Sequence, residues 1–138
     1  MENTALIIDP NCTVIRAKVE TGTPALFADQ SKMLRSLIGN LMDCVRGEDF
    51  VGYVDDEGLM HGLEYNAIAS ALFGRYLVGR VIVLGSISPS GEYDGASYDC
   101  PESVYGIVSS FIGAMRLHED FDGKTPQALY RDYMLTKI

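Results

Sequence analysis

The apolar positions change period along the chain, and each change predicts an element. Residues 4–9 hold the compact run Ala5-Leu6-Ile7-Ile8, and Asp9-Pro10-Asn11 then supplies turn chemistry. From Thr13 the pattern alternates, with Ile15, Ala17 and Val19 pointing one way and Arg16, Lys18 and Glu20 the other. Alternation of this kind marks a half-buried strand, so residues 1–20 predict a β-hairpin. From Gln30 the spacing becomes helical. Met33, Leu34, Leu37, Ile38, Leu41 and Met42 form one stripe, with Lys32, Arg35, Ser36 and Asn40 on the other side. Gly39 costs this helix about 1 kcal/mol relative to Ala and marks either close packing or an early end.

Residues 50–54 read as a strand, Asp55-Asp56-Glu57-Gly58 as a turn, and Leu59-Met60-His61 as the start of a return strand. Asn66 is placed to cap a short helix through Leu72, with Gly74 at its C-terminal end. The unbroken run Val81-Ile82-Val83-Leu84 suits a central strand covered on both faces. Residues 85–99, rich in Ser, Gly, Tyr and Asp, form a long connection. Asp99 and Glu102 have the spacing of a capping box for a second long helix, whose stripe is Val104, Val108, Phe111, Ile112 and Met115. Thr125-Pro126 starts a C-terminal helix that Leu129, Tyr133 and Met134 dock. This order predicts one α+β domain over residues 1–138, a mainly antiparallel sheet with helices packed on one face.

Composition narrows the class. The 138 residues are 47% apolar and 22% charged, which fits a soluble globular chain and excludes wholesale disorder. With 19 acidic against 11 basic residues the net charge is −8, which opposes direct binding to nucleic acid or to an anionic membrane. The acids are concentrated: residues 43–64 and residues 92–122 each carry a net −6. If the two segments meet, they make a one-sided field able to steer a basic partner. Cys12, Cys44 and Cys100 are widely spaced and odd in number, the pattern of reduced thiols and hence of a cytoplasmic setting. Met1-Glu2-Asn3-Thr4 lacks the basic and apolar regions of a signal peptide. The apolar stretch 71–84 is interrupted by Arg75 and Arg80 and is too short to span a bilayer.

The middle of the chain resembles a known family. Phe50-Val51-Gly52-Tyr53-Val54-Asp55-Asp56-Glu57-Gly58-Leu59, Gly62-Leu63, Asn66, Ala69-Ser70-Ala71-Leu72-Phe73-Gly74 and Leu77-Val78-Gly79-Arg80-Val81-Ile82-Val83-Leu84-Gly85 are similar to the DUF3846 domain, a family of uncharacterised small proteins of phages, mobile elements and their hosts. The hairpin-then-helix opening and Asp99-Cys100-Pro101-Glu102 are similar too, so residues 1–105 form a family-like core and residues 106–138 a helical extension. Glu64-Tyr65 stands where the family pattern has a proline. The resemblance implies a phage or mobile-element setting and host cytoplasm. It carries no activity and no catalytic residue with it.

The candidate chemistry is sparse. Asp55-Asp56-Glu57 offers oxygen ligands to a hard cation, but the calcium-loop spacing is absent, and a solvated turn closed by Gly58 is the simpler reading. His61, four residues beyond Glu57 and near Asn66, suits a general base if a carboxylate orients it. His118 suits a charge at a helix C-terminus, and no pair of histidines has zinc spacing. No nucleophile elbow or phosphate loop appears. In the 85–99 loop, Tyr93 and Tyr98 flank Asp94, Gly95 and Ser97, a mixture of rigid contact area and adaptable hydrogen bonding that recurs in binding loops.

Three functions remain open. The first is a non-enzymatic accessory protein that binds a host protein through its acidic surface and the 85–99 loop, with a role in counteracting host defence. Its contact residues are Tyr53, Asp55, Asp56, Glu57, His61, Tyr65, Asn66, Tyr93, Asp94 and Tyr98, with no catalytic group, metal or cofactor. The second is sequestration of a small nucleotide-like ligand between protomers of a homo-oligomer, with Tyr53, Tyr65, Tyr93 and Tyr98 stacking on the base and Arg75 or Arg80 meeting phosphate. The third is an enzyme built on His61, Cys44 and nearby carboxylates.

Overall fold

The computed structural model describes residues 2–20, 38, 42–55, 57–88, 90–92 and 98–117. The predicted helix over 30–42 lies outside the described residues apart from Ile38, which is helical, and Met42, which is not. Asp56, Tyr93, Asp94, His118 and the predicted C-terminal helix also lie outside them.

Five strands form one sheet: β1 (Glu2–Ile8), β2 (Val14–Glu20), β3 (Met42–Arg46), β4 (Phe50–Asp55) and β5 (Val81–Gly85). Their spatial order is β2-β1-β5-β4-β3, and every neighbouring pair is antiparallel. Two helices are described, α1 (Ala67–Phe73) and α2 (Glu102–Leu117). The fold is α+β with an antiparallel sheet, as the pattern predicts. The Val81–Leu84 run occupies the centre, and each of its residues is fully buried.

Alternation divides the strands into two apolar faces. Leu6, Ile8, Val45, Phe50, Val54, Val81 and Val83 pack with Ile68 of α1 and Val104 and Val108 of α2. Ala5, Ile7, Val19, Val51, Ile82 and Leu84 form the opposite cluster, joined by Tyr53 and Ile38. Both described helices therefore sit on the first face. Gly52 makes room there: a Cβ at this position would lie 2.6 Å from the Phe73 ring. Phe73 in turn meets Phe50 edge-on at 5.2 Å.

Asn66 caps α1 as expected, its side-chain oxygen accepting from the Ala69 N–H at 3.1 Å. Gly74 ends the helix in the left-handed region at φ 69°, which favours glycine.

Three expectations change. β3 begins at Met42, the last position of the helical stripe, and continues through residues that the pattern assigns to no element. Met42 fits the end of a helical spacing equally well, so only the pairing with β4 decides its state. Residues 57–62 form a turn rather than a return strand. The Asp55 carboxylate captures the Glu57 N–H at 2.8 Å, and backbone bonds from His61 to Glu57 and from Leu63 to Gly58 wind the chain back over the sheet end. Finally, Asp99 does not serve as the expected cap. Its carboxylate accepts the Thr4 N–H of β1 at 2.7 Å, and α2 starts at Glu102.

Candidate functional site

The end of β4 and the turn that follows it form one wall of a cleft of about 320 Å³. Asp43 and Val45 of β3, and Val54 and Asp55 of β4, face Gly58, Leu59 and Met60 of the turn and the segment Arg75, Tyr76, Leu77 and Val78 after α1. Its volume is at the low end of small-molecule pockets, which run from about 300 to 1,000 Å³.

The backbone around α1 fixes the second wall. Tyr65 bridges Val78, the Asn66 N–H donates to the Leu77 carbonyl at 2.9 Å, and the Gly79 N–H donates to the Glu64 carbonyl at 2.8 Å. These bonds tie both ends of the α1 excursion together. Tyr65, itself buried, stacks on Tyr76 at 4.9 Å between ring centroids and holds Tyr76 against the cleft. Gly58 brings the turn close to this wall, since a Cβ there would lie 2.7 Å from Val78.

Beside the cleft, His61 lies against two of its carboxylates. Its Nδ1 lies 3.5 Å from Asp55 Oδ2, and its Nε2 lies 3.4 Å from Glu57 Oε2. The i,i+4 spacing of Glu57 and His61 within the wound turn makes the second contact possible. Both separations exceed the roughly 2.7–2.9 Å of a tight charge-assisted bond. The Asp55 side chain is only 6% exposed, whereas those of His61 and Glu57 are 42% and 43% exposed. Among the described residues, Asp43 adds a third carboxylate and Arg75 a guanidinium. A carboxylate does orient His61, as a general base would need. However, among the described residues no Ser, Thr or Cys lines the cleft. Among the described residues no group of three His, Cys, Asp or Glu side chains is placed to hold a metal ion.

The predicted contact residues separate into groups. Asp55, Glu57 and His61 converge, and Tyr65 supports the cleft wall from behind. Tyr53 belongs to the cluster on the other face of the sheet. Asn66 is completely buried and acts structurally, its side-chain amide donating to the Ile8 and Gly79 carbonyls at 2.9 Å each. Tyr98 pairs with Gly85 at the base of the 85–99 loop. Because Phe50 lies opposite Gly85, that base sits at the start of β4 and the cleft at its end, about 17 Å apart by strand rise. The acidic segments divide in the same way. Asp43, Asp55 and Glu57 lie at the cleft, while Asp49 and Asp99 lie near Gly85 and Ser86.

Of the cations offered for phosphate, Arg80 is held by Asp9, with Nε 2.7 Å from Oδ1. Arg75 remains at the cleft. The described tyrosines therefore form no common stacking surface. The sequence reading did not single out Asp43, Leu59, Met60 or Tyr76 for the site. The available signal was the hairpin Val45-Arg46-Gly47-Glu48-Asp49-Phe50, whose short glycine-containing turn places a strand before β4 and Asp43 beside it.

The thiols lie elsewhere. Cys44 is exposed, Cys12 is half-buried and Cys100 is buried, with no disulfide among them. Burial pushes the Cys100 thiol up to about 12, against a smaller opposing pull from the Tyr105 hydrogen bond. No described helix is long and apolar enough to cross a membrane.

The profile of a domain of unknown function, DUF3846, matches residues 3–105. No curated protein matches the chain. A solved structure of similar arrangement is the crystal structure of small RNA methyltransferase HEN1, with a TM-score of 0.54 and 13% identity, covering 86% of this chain. This chain spans only 17% of that one, and at such identity the likeness is one of fold alone.

Proposed function

The chain belongs to the DUF3846 family, and on that premise we propose that it is a non-enzymatic binding protein whose partner is a protein segment carrying both basic and apolar side chains. One observation carries this reading. Three carboxylates, those of Asp43, Asp55 and Glu57, surround an apolar cleft, and beside them Leu59 and Met60 are 73% and 82% exposed. Large apolar side chains at such exposure next to an unlike-charged rim form a small docking surface, with apolar contact supplying affinity and charge supplying orientation. The overall charge of −8 steers a basic partner toward the protein. In a phage or mobile-element setting that partner is a host protein, and occupying it would counteract a host process such as defence. The 85–99 loop, at the other end of β4, would make a separate contact.

The test compares three forms of the full chain as baits in host lysate: wild type, Leu59→Ser/Met60→Ser, and Asp43→Asn/Glu57→Gln. The reading expects one protein retained by the wild type at low salt and lost from both variants. Equal retention by all three, or retention by none, overturns it.

A second reading, a nucleotide-like ligand, draws support from Arg75 and Tyr76 at the cleft. The three carboxylates repel phosphate, which ranks it below the first. A rise in melting temperature with saturating nucleotide would reverse that order.

A further inference from the structure

We propose that copies of this chain join edge to edge, β2 of one against β3 of the next, so that a single sheet runs through both. The inference goes beyond the protein-binding reading and stands without it. Among the described residues the sheet ends at β2 on one side and at β3 on the other. An edge strand offers backbone groups that another strand can pair with. The Asp9 N–H donates to the Thr13 carbonyl at 2.9 Å, and antiparallel residues exchange such bonds at every second position. That alternation directs the backbone of Ile15 and Ala17 toward β1 and that of Val14, Arg16 and Lys18 outward. At the other edge the Gly47 N–H donates to the Phe50 carbonyl at 2.8 Å, so the backbone of Asp43 and Val45 faces β4 and that of Cys44 faces outward. The Cys44 N–H is accepted by the Asp43 carboxylate of its own strand, at 2.8 Å.

The two edges complement each other on both faces of the sheet. On the face that carries the helices, β2 presents Arg16 and Lys18, both exposed. Arg16 lies 3.8 Å from the centroid of the Tyr105 ring, and Lys18 Nζ donates to Thr4 Oγ1 at 2.8 Å. On the same face β3 presents Asp43, also exposed, at the head of residues 43–64 with their net −6. On the other face Ile15 is left 49% exposed, although Ala17 and Val19 of the same strand pack into the cluster there, and β3 leaves Cys44 exposed. Aligning like faces sets two cations beside an anion and an aliphatic side chain beside a thiol, and unlike charges on adjacent strands stabilise a sheet. Pairing of like edges loses this. β2 on β2 opposes Arg16 and Lys18 to themselves, and β3 on β3 brings two segments of net −6 together. Five strands that alternate in direction leave β2 and β3 running the same way, so with like faces aligned the new pair is parallel. Each added copy presents the same two edges again, which makes the association open-ended. Asp43 must release the Cys44 N–H to pair, so the edge of the free chain is guarded and assembly depends on concentration.

The experiment is sedimentation velocity of the purified full chain over a series of concentrations, in low and in high salt. The expected result is a series of species that grows with concentration in low salt and shrinks toward monomer in high salt. Arg16→Glu/Lys18→Glu and Asp43→Lys, all at exposed side chains, should each weaken association at least roughly tenfold, because like charges then meet across the edge. An equimolar mixture of the two variants should assemble again, since each supplies the edge that complements the other's. Restoration on mixing also shows that both chains are folded. If far-UV dichroism shows either reversal to be unfolded, Arg16→Gln/Lys18→Gln and Asp43→Asn take their place and should each weaken association. A wild type that stays monomeric at every concentration overturns the proposal, as does association that both variants retain. Loss in only one variant assigns the contact to two copies of that edge and overturns the pairing of unlike edges. Folded reversal variants that fail to reassemble on mixing overturn it too. None of these outcomes decides the cleft reading, which the lysate experiment tests separately.

Discussion

The side-chain amide of Asn66 donates to the carbonyl of Ile8, 58 residues away, at 2.9 Å inside the core. The same nitrogen donates to the Gly79 carbonyl, while the side-chain oxygen caps α1 at the Ala69 N–H. One residue thus ties the end of β1, the start of α1 and the approach to β5 together, and the cleft's second wall hangs from that knot. Asn66→Ala leaves two carbonyls and one amide without this partner in a site closed to water. The expected loss is on the order of 3 kcal/mol, from three bonds of about 1 kcal/mol each. Asn66→Asp keeps the cap but points an anion at two carbonyl oxygens, so it should destabilise as well. Urea unfolding of both variants checks this. Wild-type stability in Asn66→Asp would show that the two donated bonds contribute nothing.

Gly85 should tolerate no side chain. A Cβ there would fall on the Asp99 carbonyl oxygen, a backbone atom that cannot rotate away. Gly85 and Tyr98 exchange two backbone bonds at 2.8 and 2.9 Å, and the strand end would have to give them up. Gly85→Ala is expected to cost about 1–3 kcal/mol, the range for overpacking. Amide exchange should quicken at Tyr98 and Cys100 before it does so in β4.

The buried thiol gives a pH dependence of definite sign. Burial holds Cys100 at about 12, against 9.0 for an unhindered thiol, so the folded chain keeps a proton that the unfolded chain releases. Between those values the unfolded state binds fewer protons, and stability falls as pH rises. Burial raises Cys12 and Tyr105 too, with the same sign. Denaturant midpoints should therefore drop from pH 9 upward, and less steeply in Cys100→Ala. In native protein at neutral pH, iodoacetamide should label Cys44 first and Cys100 only on unfolding.

Leu59 and Met60 should be silent in stability. At 73% and 82% exposure they contribute almost nothing to the core, so Leu59→Ser/Met60→Ser is expected to stay within about 0.5 kcal/mol of wild type. A larger loss would mean that these side chains pack in solution and are not offered to a partner.

The hairpin, the α1 helix with its Asn66 cap and Gly74 stop, the central Val81–Gly85 strand and α2 were all legible, because each is fixed by a local signal: period, cap or breaker. β3 was not, since Met42-Asp43-Cys44-Val45-Arg46 has weak alternation and its state depends on pairing with β4. The 57–62 turn was misread because three residues cannot show a period, while one side-chain bond, Asp55 to the Glu57 N–H, redirects the chain. At the site, the acidic turn and His61 stood out as residue types. Asp43 joins them from one other place in the chain and Arg75-Tyr76 from a second, and no spacing rule links those positions.

Sequence by itself determined the material of this protein: an α+β chain of net charge −8, its opening hairpin and central strand, the two ends of α1 and a concentration of acids in residues 43–64. Tertiary structure alone decided how that material is shared out. It placed Asp43, Asp55 and Glu57 around one cleft and left Asp49 and Asp99 at the far end of β4, and it turned Asn66 from a candidate contact into a buried tie. The physical reason is range. Periodicity, capping and turn formation act over a few residues and leave their mark on neighbouring letters, whereas strand pairing and side-chain packing join residues far apart in the chain, and their outcome is set only when the whole sheet has closed.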